Sequence, residues 1–354
     1  MRKSIAVPLG VAAVGVAGLG YAAGVEVNLY RVRRFELPVL DPGAKPLRIL
    51  QVSDIHMVPG QRRKHAWLRS LAELEPDLVV NTGDNLSHHD AIGPVLDALE
   101  PLLHVPGVFV FGSNDYYRAK KLNPTKYLWR GDRSRTPDQE RDQNDWHALQ
   151  AGLEKYGWLP LNNARGVLEL GGDTSARAAD GNVTASDSGR RASHSSRAAR
   201  DSRGSGSRPS PLSSLSPLAN SNVRRIAFVG LDDPHVKRDR YESVAGGPDI
   251  DAEITLGVTH APYIRALDAM ASDGLPVILA GHTHGGQLCV PFYGALVTNC
   301  DIDTARVKGL HTHTAPNART SYIHVSAGCG TSRYAPVRFA CPPEASLLTL
   351  VPRR

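Results

Sequence analysis

Leu47-Arg48-Ile49-Leu50-Gln51-Val52-Ser53-Asp54-Ile55-His56 begins as a short apolar run and ends on a carboxylate and an imidazole two positions apart. The run has the length and aliphatic content of a buried strand. An acid where such a strand runs out is penalised by burial unless a counter-charge meets it. The same form recurs in Leu78-Val79-Val80-Asn81-Thr82-Gly83-Asp84-Asn85. It returns where the strand from Gly107 leads to Gly112-Ser113-Asn114-Asp115, where the strand from Glu253 leads to Thr259-His260, and where the strand from Pro276 leads to Gly281-His282-Thr283-His284-Gly285-Gly286. In a chain with 14 histidines, a lone Asp-x-His or His-x-His is more often a surface pair than a site. Five polar clusters in order at strand ends are a different matter, because they can converge on one rim.

Around these strands the chain alternates strand and helix, which predicts an α/β sandwich. Candidate strands are Leu47 to Ser53, Asp77 to Thr82, Gly107 to Phe111, Glu253 to Thr259, Pro276 to Ala280 and Ser321 to Ser326. Helical spacing of apolar residues marks Ala66 to Leu74, Ala91 to Leu103, Asp145 to Tyr156 and Tyr263 to Met270. With 354 residues, 41% hydrophobic and 21% charged, the chain can bury a substantial core, which excludes a solenoid, a coiled coil or a wholly disordered polymer. One large globular domain is expected over residues 45–352.

Two stretches lack the composition of a core. Ser4 to Val25 carries no charge over 22 residues and follows Arg2 and Lys3. It reads as a membrane anchor over residues 1–30, with a cleaved export signal as the alternative. Arg31, Arg33 and Arg34 beyond its far end leave the orientation weakly determined, with the lean toward a catalytic domain outside the cytoplasm at the cell membrane. Residues 171–221 are built from Ser, Ala, Arg, Gly and Asp and read as a disordered insert. Its flanks, Gly166 to Leu170 and Arg225 to Gly230, read as strands that would make a hairpin without it. The net charge of +6 resides largely in such stretches rather than on a patterned face, so nucleic acid is not the expected partner. Cys289, Cys300, Cys329 and Cys341 all lie in the last fifth of the chain, and two readings stand: one or two disulfides, or buried free thiols.

Imidazole and carboxylate together suit Zn, Mn or Fe, and a central Asp can bridge two ions about 3.5–4 Å apart. With Asp54-x-His56, Gly83-Asp84-Asn85, Ser113-Asn114-Asp115, Thr259-His260 and Gly281-His282-Thr283-His284, the chain resembles the calcineurin-like metallophosphoesterase superfamily, in particular its bacterial membrane-anchored branch. The resemblance runs from about Leu47 to Val351 apart from the insert, and includes Gly230-Leu231-Asp232-Asp233 and the segment Arg338 to Glu344 as structural motifs. It implies a four-layer sandwich of two mixed β-sheets flanked by helices. It also implies two metal ions, one on Asp54, His56 and His284, the other on Asn114, His260 and His282, with Asp84 bridging them and Asn85 orienting phosphate. The family usually reads Gly-Asn-His in its third motif. Counting from Gly107 puts Asn114 at the ligand Asn and Asp115 at the catalytic His; an ungapped match through Gly112 puts Ser113 at the ligand instead.

The function so implied is hydrolysis of a phosphate ester by attack of a metal-bound hydroxide, with the substrate left open among mono-, di- and pyrophosphates of lipids or nucleotides. The alternative is a catalytically weakened metal-binding membrane protein acting as a receptor or assembly factor, for which Asp115 is the argument. Between Arg118 and Asp142 lies a basic stretch with Tyr127 and Trp129, readable as a lid or as a solvated loop. His88 and His89 follow the Asp84 loop closely enough to be substitute acids. Oligomeric state leaves no trace in the sequence.

Overall fold

The computed structural model describes residues 15–118, 142–171, 223–332 and 335–354. Two compact units divide the chain: residues 1–170 with 224–354, and residues 171–223. The second, which holds the insert expected to be disordered, lies outside the described residues but for its two ends, as does most of the basic stretch readable as a lid or as a solvated loop.

The first unit is built on two six-stranded mixed sheets. In one the order is β1 (Arg31–Leu40), β14 (Glu344–Pro352), β2 (Leu47–Val52), β3 (Leu78–Asn81), β4 (Gly107–Phe109) and β5 (Leu159–Pro160). In the other it is β12 (Gly309–Thr314), β13 (Thr320–Val325), β9 (Val277–Ala280), β8 (Ile254–Thr259), β7 (Arg224–Leu231) and β6 (Ala164–Leu170). Strands β2 to β5 run parallel, and so do β7, β8, β9 and β13. Parallel strands place all their C-terminal ends on one side, where the loops that follow them gather.

Side-chain alternation along each strand divides the core into layers. Leu47 and Ile49 of β2, with Leu78 and Val80 of β3, face Phe228, Leu256, Val258 and Leu279 of the second sheet. Leu50, Val52, Val79 and Phe109 point the other way, onto helices α1 (Arg62–Ser70), α2 (Ile92–Leu103) and α4 (Trp146–Glu154), which bury Leu68, Leu99, Leu102, Leu149 and Leu153. A short helix α3 (Ser113–Tyr116) follows β4. On the outer face of the second sheet, Val229, Ile278 and Ile323 pack against Leu267 and Met270 of α5 (Ile264–Ser272). The near-continuous aliphatic runs of the central strands follow from this burial on both faces.

The expected N-terminal anchor falls partly outside the described residues, and among the described residues no helix is long and apolar enough to cross a membrane. Residues 15–20 are helical and continue through a wide turn, Tyr21–Val25, into a tight one, Glu26–Asn28. That end is tied to the body: the Arg338 amide donates to the Ala22 carbonyl at 3.0 Å, and the Cys341 amide to Glu26 Oε1 at 2.6 Å. All four cysteines are free thiols, three of them buried.

Across the antiparallel β6–β7 ladder Leu170 stands opposite Arg224. Joining these two residues by a short turn in place of 171–223 should therefore preserve the ladder, with a change of about 1 kcal/mol at most, or about 2–4 °C in Tm. A thermal melt of the shortened chain checks this, and loss of its cooperative transition would show that the replaced segment contributes to the core.

Candidate metal centre

Each of the five strand-end motifs sits just beyond a parallel strand: Asp54 and His56 after β2, Asp84 and Asn85 after β3, Asn114 and Asp115 after β4, His260 after β8, and His282 and His284 after β9. Asp54, His56, Asp84, His282 and His284 all have positive φ, between 45° and 70°. The left-handed region is unfavourable for side chains with a Cβ, and five such residues in one cluster mean that the surrounding packing imposes the conformation.

Two groups of side chains come together. Asp54, His56 and His284 form one and Asp84, His260 and His282 the other, each with ligand-type atoms within 4.8 Å of one another. In the second group the tautomers follow from the backbone. His260 Nδ1 lies 2.7 Å from the Thr82 carbonyl, and His282 Nε2 lies 3.2 Å from the Asn299 carbonyl. A carbonyl can only accept, so these nitrogens carry protons, and the other two, His282 Nδ1 and His260 Nε2, face each other at 3.2 Å. Two lone pairs so placed require a proton or a cation between them.

In the first group His56 Nε2 and His284 Nε2 are 3.1 Å apart. Asp54 Oδ1 lies 4.0 Å from the former and 3.6 Å from the latter, and is buried with no hydrogen-bond partner. Its other oxygen accepts from the Ser53 hydroxyl at 2.5 Å and the His282 amide at 2.9 Å. Asp84 Oδ2 stands between the groups, 3.5 Å from His56 Nε2 and 3.6 Å from His260 Nε2. Asn114 faces the same carboxylate, its amide N–H on Oδ1 at 2.8 Å and its side-chain Nδ2 on Oδ2 at 2.7 Å.

Burial sets the protonation of this cluster. It pushes the Asp54 carboxyl up to about 6, although the nearby His260 pulls the other way. It lowers His56 to about 4 and holds His282 and His284 well below the usual imidazole range, where a neutral ring has a lone pair to offer. For Asp84 burial is outweighed by His260 and His56, which keep it ionised. His260 is the exception among the imidazoles: burial lowers it, but Asp84, Asp233 and Asp54 together raise it to about 9.

Asp115 and Asn85, expected to meet the substrate, are both fully buried and hydrogen-bonded within the protein. The Asp115 carboxylate accepts from the Asn85 amide at 2.7 Å, the Asp84 amide at 2.8 Å and the Gly112 amide at 3.0 Å. Asn85 Oδ1 accepts from Asn81 Nδ2 at 2.8 Å. Asp115 thus closes the first turn of α3 and pins the Asp84 loop to it. The approach is tight: Gly83 has φ 89°, and a Cβ there would lie 2.5 Å from the Gly112 nitrogen.

Other contributors lie outside the five strand-end motifs. Lys64 of α1 is buried and donates from Nζ to the carbonyls of Ile55 at 2.7 Å and His56 at 3.2 Å. Arg338 is wholly buried and donates to the carbonyls of Ala327 at 2.7 Å, Cys341 at 2.9 Å and Gly330 at 3.0 Å, with Nη2 3.4 Å from His284 Nδ1. His235 lies against His282 with ring centroids 4.4 Å apart and planes tilted by 43°, and bonds the Tyr263 hydroxyl at 3.0 Å. Only its place two residues beyond the Gly230 to Asp233 motif could have flagged it. His88 and His89 stack on each other beside Asp90 near the surface, a third group of ligand-type side chains.

Removing the Asp115 carboxylate should leave three buried amides without an acceptor, and at about 1–3 kcal/mol each Asp115→Ala should cost about 3 kcal/mol or more, Asp115→Asn less. Denaturant unfolding of the chelator-treated chain measures this. Values for both variants within about 0.5 kcal/mol of the parent, the ordinary range for surface changes, would mean that the carboxylate does not hold the loop.

The calcineurin-like phosphoesterase model matches residues 47–286. Over 352 residues the chain is 32% identical to Uncharacterized protein YpbG of Bacillus subtilis (strain 168), covering 99% of this chain and 98% of that protein. It is 30% identical over 135 residues to Uncharacterized metallophosphoesterase YkuE of the same organism, 38% of this chain and 43% of that one. A more distant relative, Transmembrane protein with metallophosphoesterase domain of Bos taurus, is 23% identical over 350 residues, covering 90% of this chain and 56% of its own length. The matched residues begin at the first of the strand-end motifs and end at the last, and the chain belongs to the calcineurin-like phosphoesterase family.

Proposed function

We propose that this protein hydrolyses a phosphate ester at a centre of two metal ions, one held by Asp54, His56 and His284, the other by Asn114, His260 and His282, with Asp84 shared between them. The observation that carries this reading is the pair of opposed imidazole nitrogens in each group, 3.1 Å and 3.2 Å apart, with Asp84 Oδ2 between the two pairs. The orphaned Asp54 Oδ1 supports it, since a buried carboxylate oxygen without a donor fits a cation. The donor set suits Mn, Fe or Zn. When bound, two such ions draw charge from the phosphoryl oxygens and make water nucleophilic at neutral pH.

The chain's own residues do the rest. Asp115 holds the Asp84 loop against α3, and the carbonyls of Thr82 and Asn299 fix which imidazole nitrogens point inward. Lys64 and Arg338 pin the backbone that carries His56 and His284. His235, half-buried beside His282, is the imidazole we assign to the ester's departing oxygen. We assign the segment Ser4–Val25 to attachment at the cell membrane with the domain outside the cytoplasm, on the strength of its uncharged run and of the relative named as a transmembrane protein.

The full chain should bind two equivalents of metal and turn over an aryl phosphate mono- or diester. Asp84→Ala should lower metal content and reduce turnover at least about a hundredfold, because the shared carboxylate both joins the ions and offsets their repulsion. Retention of two metals and full turnover by this variant would overturn the assignment. The pH dependence of metal binding is a second check. In the metal-free chain His260 holds its proton up to about pH 9 and Asp54 up to about pH 6. A cation must displace those protons, so affinity should rise with pH from 5 to about 9 and level off there, more steeply below about 6 where both leave. Calorimetric titration of manganese in buffers of different ionisation enthalpy counts the protons released.

A further inference from the structure

A small hairpin leaves the centre directly. Strands β10 (Cys289–Val290) and β11 (Gly294–Ala295) pair antiparallel with Cys289 opposite Ala295, and Cys289 Sγ rests 3.3 Å from the Gly285 carbonyl in the His284 loop. From Leu288 to Leu296 the chain reads Leu-Cys-Val-Pro-Phe-Tyr-Gly-Ala-Leu, without a charged residue. Its tip is the most exposed apolar feature described: Phe292 is fully exposed at 111%, on a backbone at φ 68°, and Tyr293 is 78% exposed. Val290 and Leu296 on its flanks are also exposed, and they line an apolar groove whose other wall is Leu19 and Ala22 of the N-terminal helical segment. Val16, one helical turn before Leu19, is 73% exposed.

Burying two aromatic side chains from water is worth several kcal/mol, so a tip built this way is costly unless something covers it. Three observations favour a lipid surface over a folded partner. The patch continues the uncharged run from Ser4, which meets it at Leu19 and Ala22. Phe and Tyr side by side at a convex tip suit the boundary between acyl chains and headgroups. Arg31, Arg33 and Arg34, all exposed just after the segment, complement anionic headgroups. We propose that the β10–β11 hairpin is a lipid-docking element whose Phe292 and Tyr293 enter an anionic bilayer beside the N-terminal segment. This rests on the membrane part of the reading above and not on its chemistry.

Phe292→Trp in the full chain places a reporter at the tip, read against the parent's four tryptophans. With vesicles of phosphatidylglycerol and phosphatidylethanolamine, its added emission should shift to the blue and be quenched by brominated acyl chains. Phe292→Ser/Tyr293→Ser should leave co-flotation through Ser4–Val25 in place and turnover of a water-soluble aryl phosphate unchanged, so the signal at the tip is what tests the hairpin. Co-flotation in which the introduced indole keeps the emission of a water-exposed ring would retain the membrane attachment and overturn the hairpin. A blue shift without lipid would overturn it too, in favour of a second copy if it reverses on dilution and of the chain's own N-terminal residues if it does not.

Discussion

Three carboxylates, those of Asp54, Asp84 and Asp115, are packed into the loops above the two sheets at 0–3% exposure, and the arrangement of the centre follows from how each charge is met. Asp115 is satisfied by three backbone amides, which makes it a fastener. Asp84 is satisfied by Asn114 and flanked by imidazoles of both groups. Asp54 is satisfied on one oxygen only. A buried carboxylate without its donors would be protonated or expelled, so this gradation from complete to incomplete pairing separates the residue that holds the loops from those with capacity left for a ligand. The left-handed backbone at five of these positions is sustained by the same contacts, since nothing local favours it.

The environment beyond those acids is cationic in an unusual way. Lys64 and Arg338 are buried, yet they donate chiefly to backbone carbonyls, with an imidazole and a thiol beside the guanidinium. Burial lowers Lys64 to about 7, which shows how weakly carbonyl dipoles replace water around an ammonium. Both cations help to keep the rings of His56 and His284 neutral. The fold therefore presets these imidazoles as lone-pair donors from behind, through charge as well as hydrogen bonds.

Much of this was legible in the sequence, and the reasons differ residue by residue. Asp54, His56, Asp84, His260, His282 and His284 could be found because each follows an aliphatic run of strand length, and parallel strands bring such ends together whatever the intervening chain does. Asp115 is harder to read, because Gly112-Ser113-Asn114-Asp115 offers two alignments that differ by one residue, and the three amides around the carboxylate appear only in the fold. Lys64 reads as the polar face of an amphipathic helix, and its burial depends on where the Ile55 and His56 carbonyls lie. Arg338 is 54 residues beyond His284, and although it opens a segment read as structural, nothing there marks an arginine that will be enclosed. The hairpin tip was passed over because an apolar tripeptide between strands looks like core until its exposure is known.

The position of β14 has a consequence for how the molecule comes into being. The final strand lies between β1 and β2, pairing in parallel with one and antiparallel with the other, so the first sheet is complete only when the last residues have joined it. During synthesis β1 emerges early, and its neighbour in the finished sheet is made about 300 residues later. Until then β2 presents an open, aliphatic edge beside the loop of Asp54 and His56, the kind of edge that invites wrong pairing. Such long-range closure slows folding. A nascent chain of this protein therefore keeps that edge open until β14 has been made and has reached the sheet.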